Sequence, residues 1–149
     1  MTKEILKSCL NRAFYEENKL KLSSDLFDSE QKEIFQIVSE GHNKYSHDLS
    51  FTEVLELWKS KNPIATNSVI QDFSLALKIV KESEDINPQV ANDLINSLWE
   101  KNWARKCADA YLRISEGDPN AQATIDQLML QKQTGYSPMD FGEDVTKDL

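Results

Sequence analysis

Hydrophobic positions recur along almost the whole chain at the three- and four-residue spacing of an α-helix. Ile5, Leu6, Cys9 and Leu10 make a short amphipathic turn or two, and Phe14, Tyr15, Leu20 and Leu22 follow in a stretch that breaks and restarts. Asp28 and Gln31 stand at capping-box spacing. They predict a helix from about Ser29 that carries Ile34, Phe35, Ile37 and Val38 and fades after Gly41 near Tyr45. Ser50 and Glu53 repeat the signal and open a helix presenting Val54, Leu55, Leu57 and Trp58. It stops at Asn62-Pro63, because a residue before proline is pushed out of the helical region. From about Thr66, the positions Val69, Ile70, Phe73, Leu75, Leu77, Ile79 and Val80 predict one more helix, ending near Glu82.

Beyond the acidic linker KESEDINP the pattern is most regular. Asn87 can cap, and Pro88 suits a first helical position, where its missing N–H costs nothing. Apolar residues then fall at Val90, Leu94, Leu98, Trp99, Trp103, Cys107, Ala110, Tyr111 and Ile114, a narrow stripe down one long helix. Gly117 ends it, and Asp118-Pro119 starts another with Ala121, Ile125, Leu128 and Met129 on one side. Helices joined by so short a turn run antiparallel. The fold class expected is therefore all-α: a compact helical head at 1–82, a long helical hairpin at 88–133, and a polar, acidic linker or tail at 134–149. A hairpin alone leaves part of such a stripe uncovered, which points to a second copy or another protein as its cover, as in a four-helix bundle. The plainer reading folds the hairpin back on the head.

Composition narrows the function classes. With 149 residues the chain has the size of one domain, and no independent second core is expected. Apolar residues make up 40% and there are only four Gly and four Pro, which suits a packed helical protein rather than a disordered or all-β one. No apolar run approaches a membrane span, and the charged start MTKEILKSCL does not read as a signal peptide. Cys9 and Cys107 are too far apart for a disulfide framework and are expected as reduced thiols of a cytoplasmic protein. A net charge of −8 makes the chain a poor candidate for gripping nucleic acid, since phosphate binding relies on Lys and Arg.

Candidate chemistry is sparse. Gly41, Gly117, Gly135 and Gly142 are followed by His, Asp, Tyr and Glu, so no Gly-Lys-Ser/Thr phosphate cradle exists. His42 and His47, five apart, miss the spacing of metal ligands on one helix face and are expected as exposed loop histidines. Cys9 and Cys107 sit in apolar stripes and are expected as buried thiols rather than nucleophiles. Glu16-Glu17 and Glu82/Glu84/Asp85 are expected as solvated surface. Neither catalytic residues nor a cofactor or metal site is read from the chain. Lys101, Arg105, Lys106 and Arg113 form a basic cluster on the long helix that would meet nucleic-acid phosphates or an acidic partner; the plainer alternative is that they solubilise its surface. Trp99 and Trp103 are expected as packing anchors before base-stacking platforms.

The order of elements resembles the N-terminal domain of DnaB-type replicative helicases, in the divergent version carried by tailed phages. The resemblance rests on the stretch SSDLFDSEQKEIFQIVSEGHNKY, with Leu26-Phe27 before a polar cap and Ile34-Phe35 within the helix, and on NDLINSLWEKNWARKCADAYLRISEGDPNAQATIDQLM, similar to that family's hairpin. It extends over about residues 3 to 133. It implies a non-catalytic collar domain of a hexameric DNA helicase: hairpins of neighbouring subunits pair, and the collar docks primase or a helicase loader. The tail would begin the linker to an ATPase motor absent from this chain. On that reading Leu98, Trp99, Trp103, Cys107, Tyr111, Ile114, Ile125, Leu128 and Met129 are the homo-oligomer interface, and Trp103→Asp should lower the assembly state without unfolding the head. Single-stranded DNA would bind weakly if at all. The alternative is a stand-alone helical loader, or an adaptor or inhibitor, that binds a replication partner.

Overall fold

Local side-chain caps decide where the helices begin. Asn11 accepts from the Phe14 amide at 2.9 Å and Asp28 from the Gln31 amide at 2.8 Å, each satisfying a donor that the first helical turn leaves open. Ser50 and Glu53 complete both bonds of a capping box at 3.1 and 2.8 Å. The structure, a computed structural model, describes residues 1–135. Its elements are α1 (Thr2–Ser8), α2 (Arg12–Asn18), a 3-10 turn at Ser24–Leu26, α3 (Ser29–Lys44), α4 (Phe51–Lys61), α5 (Asn67–Lys81), α6 (Pro88–Ser115) and α7 (Ala121–Gly135). The protein is all-α, with no strand among the described residues. The stretch read as linker or tail lies, past the last turn of α7, outside the described residues.

The chain separates into two units at Ile95/Asn96, inside α6, and not at the 82–88 linker. The first unit packs α1, α3, α4 and α5 against one another. Ile5, Leu6, Ile34, Val38 and Val54 are fully buried there, each contributing on the order of 2 kcal/mol. Trp58 of α4 lies flat on Phe73 of α5, ring centroids 4.5 Å apart and planes 9° apart. The first two turns of α6 belong to this unit because Ala91 and Ile95 are fully buried, while Asn92 accepts from Asn18 at 2.7 Å. This corrects the register of the expected stripe: Val90 is half exposed, and the inward positions are Ala91 and Ile95, one residue further on.

The second unit is the hairpin proper. Gly117, at φ +87°, sits in the left-handed region that glycine enters without strain, and ends α6. Its amide donates to Ile114 at 2.9 Å and that of Asp118 to Arg113 at 3.0 Å, the paired bonds of a Schellman cap. The chain then reverses into α7. Against the expectation of no second core, Cys107, Ala110, Ile125 and Leu128 form a small buried cluster of their own with Trp103 packed on it.

Candidate functional site

The nine residues expected at an oligomer interface divide into three groups. Cys107, Ile125 and Leu128 are buried in the seam between α6 and α7, so they close the hairpin on itself. Trp103 serves the same seam: its indole N–H donates to the Leu128 carbonyl at 2.6 Å, and the Lys132 ammonium stands 4.4 Å from the ring centroid. Trp103→Asp would thus open the hairpin itself, whatever its effect on assembly. Leu98 and Trp99 are half-buried. Tyr111, Ile114 and Met129 are exposed, at 57, 38 and 42% of their surface. Leu112 and Leu130, both 59% exposed, join them and were missed because they lie off the single stripe traced by period alone. The exposed apolar residues occur at two levels, 111–114 beside the turn and 129–130 beside the Trp103 end.

The basic residues are not gathered into one patch. Lys101 and Arg105 are four apart and share a face; Lys106 and Arg113 are seven apart and share another, displaced by a residue step of roughly 100°. Lys101, Arg105 and Lys106 are exposed, whereas Arg113 is half-buried and reaches Asp109 one turn back, Nε to Oδ2 3.6 Å.

In the head, His42 departs from its expected place. It is not a loop residue but lies inside α3, 1% exposed, with Nε2 donating to the Cys9 carbonyl at 2.7 Å and its ring stacked on Tyr15, centroids 4.6 Å apart. Nδ1 has no hydrogen-bond partner among the described residues. Burial, countered in part by the Cys9 carbonyl and reinforced by the Arg12 charge, holds the imidazole pKa below its usual value. Arg12 locks this corner by donating to the carbonyls of His42 and Tyr45, while its own amide donates to Asp48 at 2.8 Å. His47 is exposed, as expected.

Cys9 and Cys107 are both buried free thiols, and burial pushes Cys9 up to about 12, leaving it no useful thiolate near neutrality. Glu16 is ion-paired with Lys19 at 2.8 Å and Asp85 with Lys7 at 2.9 Å; Glu17, Glu82 and Glu84 are exposed. Among the described residues no group of three or more His, Cys, Asp or Glu side chains is placed to hold a metal ion. No described helix is long and apolar enough to cross a membrane. Compared with protein-family models, with curated proteins and with solved structures, the chain finds no match.

Proposed function

We propose that this chain is a non-catalytic assembly domain of a DnaB-type replicative helicase, acting in the cytoplasm by pairing its hairpin with that of a second copy and docking primase or a loader on its head. The observation that carries the reading is the hairpin's surplus of apolar surface. Its seam is already closed by Cys107, Ala110, Ile125 and Leu128, yet Tyr111, Leu112, Ile114, Met129 and Leu130 remain exposed. Large apolar side chains left in water on a two-helix unit are what a partner helix pair would cover.

Light scattering behind a sizing column, over a range of concentrations, tests this. The full chain should run as a dimer or higher oligomer, and Tyr111→Asp with Met129→Asp should reduce its mass while far-ultraviolet circular dichroism stays unchanged. Both residues are exposed, so their loss leaves the seam intact. A strict monomer at every concentration would remove the assembly reading and leave an adaptor or loader that covers the same residues with another protein.

A further inference from the structure

A second apolar surface lies on the head, on α5. The helix α5 buries Phe73, Ala76, Leu77 and Val80, yet its flank carries Val69, Leu75 and Ile79 at 47, 59 and 51% exposure. Leu75 and Ile79 are one turn apart, so they present a continuous apolar edge. Between α5 and α3 lies a groove of about 330 Å³, lined on its apolar side by Val69, Phe73, Leu75 and Ala76, with Ile79 one turn beyond it. Its rim is entirely acidic: Glu30 and Glu33 from α3 and Asp72 from α5. All three carboxylates are exposed, and none is in an ion pair among the described residues. The groove between α4 and α5 differs, since Lys78 and Lys81 share its rim with Glu82 and mixed charge selects no partner.

We propose that the acid-rimmed groove between α3 and α5 takes the basic amphipathic helix of a partner protein. An apolar floor between carboxylates is complementary to a helix whose leucine-type face is flanked by Lys or Arg, the arrangement of helix-in-groove recognition. The chain's net charge of −8 draws such a partner in from a distance and repels acidic helices. Val69 and Leu75 supply the anchors, and the three carboxylates orient the bound helix. This proposal deepens the docking half of the reading above and rests on it; it owes nothing to the hairpin.

The test uses the full chain and a fluorescein-labelled Leu/Lys amphipathic peptide, followed by anisotropy. The peptide should bind, while a scrambled peptide of the same composition and a Leu/Glu counterpart should not. E30K/E33K/D72K should weaken binding by about tenfold or more. The triple E84K/E116K/D126K changes net charge equally at other exposed sites and should cost about threefold or less. V69S/L75S should also cost about tenfold, and L20S/I64S, matched exposed apolar positions, should be near neutral. Equal losses from the two charge triples would mean that the peptide reads net charge alone, which overturns the proposal. So would failure to discriminate the scrambled peptide. Loss of self-association in V69S/L75S would give the groove to a second copy and likewise end it. A chain that assembles through its hairpin yet ignores the peptide loses this proposal and keeps the assembly reading.

Discussion

At the scale of single residues, His42 is the point where the head is most exposed to a change of conditions. Its Nε2–H is committed to the Cys9 carbonyl, so a second proton must go to Nδ1, which is buried with no acceptor among the described residues. Arg12, hydrogen-bonded to the carbonyl of the same residue, opposes the added charge, while Glu16 and Asp48 only partly offset it. The folded-state pKa therefore lies below the unfolded value of about 6.5, and in that interval the unfolded chain binds the extra proton. Stability from this site is complete above about pH 6.5 and is lost as pH falls through the interval below it. Urea unfolding of the native chain should show a midpoint that drops between about pH 7 and pH 5, and His42→Gln should flatten that slope. A wild-type midpoint that stays level across this range would mean that the imidazole accepts its proton without strain. The carboxylate of Glu53, lowered first by its hydrogen bond to the Ser50 backbone, acts at lower pH: its capping contribution is lost only in the acidic range of carboxylates.

At the scale of elements, what could be seen in advance was what is local. The caps Asp28, Ser50 and Thr66 act on amides three residues away, so the starts of α3, α4 and α5 follow from spacing alone. Gly117 is equally legible, because only a residue tolerant of positive φ closes the Schellman cap. A Cβ there would meet nothing within 4 Å, so Gly117→Ala isolates the backbone cost, about 1 kcal/mol, with no steric term. Gly117→Asn should recover part of it, since Asn tolerates the left-handed region better than Ala. Thermal melts of the hairpin amides by hydrogen exchange check both, and an Ala variant as stable as wild type would show that the turn is not held at this φ. Illegible features are those set by tertiary packing. The period of α6 fits Val90–Leu94 as well as Ala91–Ile95, and only burial selects the second pair. His42 looked like a loop residue because Gly41 weakens the helix signal locally. The helix persists to Lys44, where the Tyr45 amide still donates to Gly41 and Arg12 ties down the last turn from another element. Seam and surface of the hairpin also read alike in sequence, since Cys107 and Tyr111 lie one turn apart on the same stripe, one buried and one exposed.

At the scale of the whole molecule, the two units differ in how much core they hold. The first buries side chains from six helices, counting the start of α6, whereas the hairpin's cluster consists of Cys107, Ala110, Ile125 and Leu128 with Trp103 alongside. Most helical stability in a folded protein comes from tertiary packing, and the hairpin has little of it, so the hairpin amides should open at lower free energy than the core of the head. If the cover is a second copy, mass action makes that opening depend on protein concentration: binding partners stabilise only the closed hairpin, and by an amount that grows with the logarithm of their excess over Kd. Hydrogen exchange at two concentrations well separated around the association midpoint should then show protection rising across 100–115 and 121–130 and unchanged in α3 and α4. Trp103→Phe, which removes the donor to Leu128 but keeps an aromatic ring, should lower hairpin protection at both concentrations by about 1 kcal/mol without touching the concentration dependence. Tyr111→Asp with Met129→Asp should do the reverse, erasing the dependence while leaving the dilute value in place. Protection that is identical at both concentrations would mean that the hairpin is complete in one chain, and its exposed apolar residues would then be available for a different protein.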